Sequence, residues 1–457
     1  MRRFLAYLAG PVASGAIGFV MLPILTAHLD AAHWGRLALA TALVQLGGAC
    51  AGLGAGIVLA RHFQGSDANA RRSLISTLAA STTAVAAIAG GLVAVLWLVI
   101  PGVPLGGLDL ALALATMMPT ALWTLAVDVT MLDGRVRWYT IGLSAQALCW
   151  AAAGATAVHM PEAREHALFI AQASGALALG IAAVMALAPY ASRPIRIWLI
   201  EIHSTAPRAV GSSLAETGLT AVERSLLTGL VGPAVLGLYV HAQQWRTVAQ
   251  MLAKAGARSV WPKTLEEARL PGSNYPATRQ IWLPLHLALA AAASGMLLAG
   301  GEPIAWLTHG VFAGAQWPAG CLLAILLIQN SGRPQIGWLY ANGLGNSVSN
   351  LTMASAATGA VLLFALVPLL GLGGALTATA VQATALRLGV HRLCRNANLP
   401  RQDGPVLVGL AVIASSALAA WLLADRETER RILACGIALG LGVLWTMKRR
   451  RKDATQP

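Results

Sequence analysis

Apolar runs of about 20 residues follow one another along almost the whole chain, each long enough to cross ~30 Å of hydrocarbon as a helix. No other feature constrains the fold as strongly, because a segment in hydrocarbon must satisfy every backbone N–H and C=O within itself. A transmembrane β-barrel would instead show alternating segments of about 10 residues. Of the 457 residues, 11% are charged and 57% hydrophobic. An average soluble domain carries about 25% charged residues, so a water-soluble fold is excluded. The sequence reads as an all-α polytopic membrane protein with fourteen spans, at 8–28, 37–60, 75–99, 109–131, 139–158, 167–189, 209–230, 236–256, 280–301, 317–341, 348–368, 374–391, 405–424 and 431–447. Connections are short, the longest at 190–208 and 257–279, and no soluble domain is appended. The first apolar run reads as a retained span rather than a cleaved signal peptide.

The net charge of +14 would suit a nucleic-acid binder if it were concentrated on one surface. Instead, Lys and Arg stand in short clusters between the apolar runs, as the positive-inside rule requires, and no nucleic-acid partner is expected. With the N-terminus inside, 24 Lys and Arg fall on the inner side and five on the outer side (Arg36, Arg164, Arg426, Arg430 and Arg431). Three remain deep within spans, away from the span ends: Arg224, Arg246 and Arg333. An odd number of spans would scramble this asymmetry, so both termini are expected in the cytoplasm. Cys50, Cys149, Cys321, Cys394 and Cys435 lie in or beside apolar runs without a CxxC pair, and read as packing residues rather than disulfides or metal ligands.

A weak internal repeat links the first hairpin to the seventh and eighth spans. The turn "LDAAHWGRLALA" (29–40) aligns without gaps on "VGPAVLGLYVHA" (231–242), pairing Leu29 with Val231, Asp30 with Gly232 and Gly35 with Gly237. Duplicated halves are common in transporters, with the substrate path between the repeats.

Three separated stretches carry a family resemblance. "GAIGFVMLPILTAHLDAAHWGRLALATALVQL" (15–46) resembles the start of the polysaccharide-transport family, whose members move lipid-linked oligosaccharides and belong to the multidrug/oligosaccharidyl-lipid/polysaccharide exporter superfamily. Its turn "LDAAHWG" has Trp34 for the family's Tyr, and its second helix ends at Arg61 and Phe63. "VERSLLTGLVGPAVLGLY" (222–239) resembles the family's acidic–Arg segment and following glycine turn, with Glu223, Arg224, Gly237 and Tyr239 on the matching positions. "ALVPLLGLGGALTATAVQ" (365–382) resembles the turn between its eleventh and twelfth helices.

The resemblance implies two pseudo-symmetric six-helix lobes, residues 1–200 and 201–395, followed by two extra helices and a basic cytoplasmic tail at 396–457. It implies export of undecaprenyl-pyrophosphate-linked oligosaccharide across the bacterial inner membrane, by alternating access, for surface polysaccharide synthesis. Membrane lipids and a polysaccharide polymerase or export machinery are the implied partners, with no cofactor. A drug/cation antiporter and a peptidoglycan-precursor flippase of the same superfamily are the alternatives. The sequence departs from both: the first two spans contain no Asp or Glu for an antiporter's cation site, and the first span contains no arginine.

The intramembrane charges are the candidate site. A charge at the bilayer centre costs about 2.5–3.5 kcal/mol on insertion scales, so such residues pair or face a watered cavity. Glu216, Thr220 and Glu223 share a helical face, as do Gln243, Arg246 and Gln250. Counted from the outer turn, Arg224 and Arg246 lie within ~5 Å of each other in depth. A guanidinium binds phosphate bidentately and stays charged. Arg224 and Arg246 are therefore expected to attract the pyrophosphate or anionic sugars, with Glu223 holding an arginine or responding to a coupling ion. The alternative is that Glu223 pairs with Arg246 only to tie the hairpin together. Glu216 and Asp128 are candidates for the inner mouth or for coupling. Arg61 is a candidate entry contact or a headgroup anchor. Pro334 is expected to break span ten, with Gln329, Asn330 and Arg333 clustered at the break.

An enzyme is not expected. A membrane-embedded glycan transferase or polymerase needs a general base, a metal-binding carboxylate pair or a sizeable catalytic loop. The sequence has no HExxH, DxD, P-loop or GxSxG motif, and no long outer loop. Transport would be driven by an ion gradient or by substrate supply.

Overall fold

The computed structural model describes the chain apart from residues 1, 53–54, 64–66, 100–105, 270–275, 343, 398, 400–403, 424–429, 432, 435, 438–440 and 442–457. It is helical throughout, with no strand among the described residues. The expected span at 431–447 and the basic tail fall largely outside the described residues.

The chain forms two units, Met1–Gly237 and Leu238–Pro457. The first holds α1 (Arg2–Thr26), α2 (Ala31–Ala51), α3 (Ala55–His62), α4 (Ala68–Val99), α5 (Gly107–Ala115), α6 (Met117–Leu132), α7 (Val136–His159), α8 (Ala167–Leu187) and α9 (Arg196–Leu226). The first turn of α10 (Pro233–Arg269) belongs to it as well. The rest of α10 lies in the second unit with α11 (Pro276–Ala299), α12 (Gly301–Leu307), α13 (Gln316–Ser331), α14 (Arg333–Ala341), α15 (Gly345–Leu370), α16 (Leu372–Asn396) and α17 (Gly404–Leu422).

Every expected span before the last coincides with a helix or a pair of helices. Among the described residues, six helical stretches are long and apolar enough to cross a membrane by length and composition, including Ala68–Val95, Arg164–Tyr190 and Gly345–Leu370. The chain is a multi-pass membrane protein. Residue size along α8 shows how such a protein packs. Leu177, Ile181 and Val184 are 61%, 56% and 61% exposed, while Ala176, Ala183 and Ala186 are buried. Lipid solvates the large side chains as well as protein does, so small residues set the close helix contacts.

Spans two, four and ten each hold two helices, the last as Pro334 led one to expect. In span two, α2 ends at Ala51 and α3 starts at Ala55, with 53–54 outside the described residues. Span four is divided into α5 and α6 at Thr116, whose hydroxyl bonds the Ala113 carbonyl at 2.6 Å; Pro119 then lacks the N–H that a continuous helix would use. Span ten is divided at Gly332, just before Pro334. The two longest expected loops are mostly helix. Pro194 stops nothing after itself, so α9 starts at Arg196, and α10 continues to Arg269.

Within the first unit, the aligned glycines meet reciprocally. A Cβ on Gly35 would strike the Pro233 carbonyl oxygen, and a Cβ on Gly237 would strike the Ala31 carbonyl oxygen. The alignment that pairs Gly35 with Gly237 also pairs Ala31 with Pro233. The turns before these helices differ. Asp30 caps α2 by accepting from the His33 N–H at 3.0 Å, whereas Gly232 takes φ +108°, a conformation that favours glycine.

Candidate functional site

Two polar regions lie inside the helical framework, one in each unit. In the first unit, Thr116 just before α6 and Thr120, Thr124 and Asp128 on it follow at successive four-residue steps, which places the last three on one face. They line a cavity of about 480 Å³ together with Thr41 and Gln45 of α2, Thr82 of α4, Gln172 of α8 and Thr217 of α9. The Thr120 and Thr124 hydroxyls donate to the carbonyls four residues back, at 2.7 and 3.0 Å. Thr41 does the same to Leu37 at 2.8 Å. Thr82 is 1% exposed, and its hydroxyl has no partner among the described residues. Among the described residues, neither Lys nor Arg lines this cavity.

Nearer the turn that ends α9, Glu223 is 6% exposed and Arg224 is half-buried. Arg224 Nη1 donates to the Ala38 carbonyl at 2.7 Å, tying α9 to α2. Beyond Arg224 the chain widens into a π-helical turn at Leu227–Val231, with Thr228 Oγ1 donating to the Arg224 carbonyl at 2.7 Å. Glu216 lies on α9 and Arg61 on α3; the side chains of both are outside the described residues.

The second unit has different chemistry. Arg246 of α10 is half-buried, and its Nη2 donates to Gln329 Oε1 of α13 at 2.8 Å. Its Nε is buried without a protein partner among the described residues. Beyond the α13–α14 break, Arg387 of α16 donates to Gln335 Oε1, and Gln335 is fully buried. An amide supplies a hydrogen-bond acceptor but no negative charge, so the bond to Gln329 holds the Arg246 guanidinium without neutralising it. Asn330 is 1% exposed; its Nδ2 donates to the Leu326 carbonyl at 3.0 Å, and its Oδ1 is buried without a protein partner among the described residues. Arg333 opens α14 and is half-buried. Gln243 and Gln250 are half-buried on α10, with the spacing from Arg246 that the sequence gave reason to expect.

The structure thus places Asp128 on a cavity and Arg246 beside the helix break, and it puts Arg224 on the α2 backbone. Sequence reasoning missed the threonine face of α6, the buried Thr82 and the Arg387–Gln335 contact. The threonine spacing is readable in "TMMPTALWTLAVD" (116–128), but neutral hydroxyls draw less attention than a charge. Arg387 was counted as an inner-side charge, yet it lies inside α16, bonded to a buried side chain.

No family model matches the sequence, and no curated protein matches it. Solved structures do match. The lipid II flippase MurJ, in an inward closed conformation, superposes with a TM-score of 0.72 over 98% of this chain and 100% of that one, at 11% identity. A MOP-superfamily transporter from Pyrococcus furiosus, described as having a binding pocket of reversed polarity, gives 0.59 over 87% and 94%, at 11% identity. An inward-facing multidrug resistance MATE family transporter gives 0.53 over 90% and 95%, at 15% identity. The fold implied by the sequence resemblance is therefore the fold observed, shared with flippases and transporters of this superfamily.

Proposed function

We propose that this protein is a flippase for an undecaprenyl-pyrophosphate-linked oligosaccharide, working by alternating access between two six-helix lobes in the bacterial inner membrane, with both termini cytoplasmic. The observation that carries this reading is the Arg246–Gln329 bond. A guanidinium held by a neutral amide retains the charge to attract an anion, and among the described residues its Nε–H has no partner. A hydrocarbon interior makes an uncompensated cation costly, which favours a role in binding over a role in packing. Arg333, Gln243 and Gln250 supply further polar groups to the same unit, and Arg224 and Glu223 are assigned the neighbouring charge in the first unit. Arg61, Glu216 and Asp128 are assigned to entry and to the inner mouth.

The MurJ likeness supports a second reading, a flippase for the peptidoglycan precursor, because it spans both chains almost completely. Both cargoes present a pyrophosphate on a polyprenyl carrier, so the arginine chemistry serves either. Cells lacking the protein distinguish them. Accumulation of a complete surface-polysaccharide repeat unit on the cytoplasmic leaflet supports the first reading. Accumulation of lipid II there supports the second. Normal glycan export with altered drug or cation tolerance contradicts both and favours an antiporter.

A further inference from the structure

The turn between α6 and α7 forms another cavity in the first unit, of about 390 Å³, lined by Gly134, Arg135, Arg137, Trp138 and Ile141. Gly134 takes φ +72°, a left-handed conformation that lets the chain reverse tightly just before the two arginines. Arg135 is half-buried and Arg137 is exposed. A carboxylate answers the first of them in part. Asp133 Oδ2 stands 3.9 Å from Arg135 Nη1 and also accepts the Tyr190 hydroxyl at 2.6 Å. Arg137 makes no ion pair or hydrogen bond among the described residues, and no carboxylate is among those that line the cavity. The start of α7 adds charge of the same sign. Its cap residue, Arg135, gives no side-chain bond to the first N–H groups, which carry the positive end of the helix dipole.

The walls change character along the helix. Trp138 and Ile141 follow Arg137 by one and four residues, so Ile141 lies about one turn, ~6 Å, further along α7. Trp138 is half-buried against the core around Trp123, Leu179 and Ala183, whereas Ile141 is 52% exposed. From the turn inwards the cavity therefore runs from guanidinium to indole to aliphatic side chain. A phospholipid at the edge of a bilayer has the matching order: phosphate, then the interfacial level where tryptophan is enriched, then acyl chain. A soluble phosphate would use the arginines and leave the apolar end unfilled. The volume lies in the range of organic-ligand pockets, which suits a whole headgroup. The Lys and Arg asymmetry assigns this turn to the cytoplasmic side, where the membrane surface is anionic and basic pockets at helix ends hold anionic headgroups.

We infer that this cavity binds the headgroup of an anionic phospholipid from the inner leaflet, with Arg135 and Arg137 on its phosphate and an acyl chain over Ile141. The site goes beyond the transport reading and does not depend on which cargo is carried.

The test titrates the full-length protein in detergent with cardiolipin, phosphatidylglycerol or phosphatidylcholine and counts bound lipids by native mass spectrometry. The wild type should retain one anionic lipid that phosphatidylcholine does not displace. The Arg135→Ala, Arg137→Ala double variant should bind that lipid about 30-fold more weakly. Should the double variant fold poorly, Arg137→Ala alone is expected to weaken binding about fivefold. Ile141→Trp fills the cavity without changing the charge and should lose the same lipid. Arg72→Ala removes an exposed cation from α4, outside the cavity, and should keep it. Equal retention by the wild type and the double variant overturns the inference. So does full retention by Ile141→Trp, which would reduce the effect to surface charge. Displacement of the lipid by an equal concentration of glycerol 3-phosphate would make this a site for soluble phosphates, and displacement by undecaprenyl pyrophosphate would make it a cargo site; either result overturns the assignment to phospholipid.

Discussion

The cavity beside α6 and the cluster around the α13–α14 break are both polar regions in otherwise apolar helices, yet they solve the problem of buried polarity in opposite ways. In the first unit, the Thr120 and Thr124 hydroxyls are satisfied by their own backbone, and among the described residues the charge lining the cavity is the Asp128 carboxylate. In the second unit, a guanidinium is satisfied by a neutral amide and keeps its charge. A hydrogen bond and a charge are thus separate quantities: a group can be well bonded and still be electrostatically uncompensated. One fold therefore holds two polar environments of different chemistry.

Removing the cation should have the largest effect. Hydrogen bonds to charged groups contribute about 1.5–3 kcal/mol, so Arg246→Ala should lower flipping roughly 10- to 100-fold at equal protein abundance. Arg246→Lys should retain part of the activity, because a lysine keeps the charge and loses the fork. Leaflet-resolved measurement of the lipid-linked glycan checks both, and full activity in the alanine variant breaks the comparison.

A smaller effect is expected at Asp128. If Asp128 serves the inner mouth through hydrogen bonding alone, Asp128→Asn should change flipping only about two- to threefold, since an amide still accepts hydrogen bonds there. A loss as large as that of Arg246→Ala would instead make the carboxylate charge essential and point to a coupling ion. The same assay reads both outcomes.

Helix packing provides a contrast that touches neither region. Gly35→Ala and Gly237→Ala each force a Cβ against a carbonyl oxygen, and overpacking typically costs about 1–3 kcal/mol. Thermal unfolding in detergent should show similar losses for the two, reflecting their reciprocal contact; a large loss for one alone would mean that the contact is not equivalent in the two turns.

The smallest effect lies at Asp30, outside the spans. Burial raises its carboxyl, but the hydrogen bonds from the His33 ring and backbone outweigh this and hold it below its ordinary 3.8. A carboxyl lowered on folding stabilises the folded state above its unfolded value and loses that contribution as pH falls through the folded one. Asp30→Ala should therefore cost about 0.5–1 kcal/mol at neutral pH, the low end for a helix cap because the side chain is exposed to solvent. The difference from wild type should shrink as pH falls below 3.8 and vanish only below the lowered folded value. Unfolding midpoints across pH test this, and a constant difference would contradict it.

The sequence revealed much of the fold because hydrocarbon imposes one dominant rule, and apolar run length reports it directly. It was less informative where helices bend. The break at Thr116 depends on side-chain competition, which leaves a hydropathy pattern almost unchanged. The site was legible where it was charged: Arg246, Arg224 and Asp128 stood out against an apolar background. Gln329 was seen only as part of a polar cluster, because its role depends on a partner 83 residues away. Thr82 was not distinguished at all, since nothing in the sequence separates a back-bonded threonine from an unpartnered one.

The central claim is that Arg246 serves through an uncompensated charge, and Gln329→Glu tests it most directly. The substitution keeps the shape and the hydrogen bond but adds a carboxylate that neutralises the guanidinium. Flipping of the lipid-linked glycan should fall about as far as in Arg246→Ala, roughly 10- to 100-fold, while thermal stability holds or rises. Full flipping by the Gln329→Glu protein would contradict the account and leave Arg246 as a packing residue.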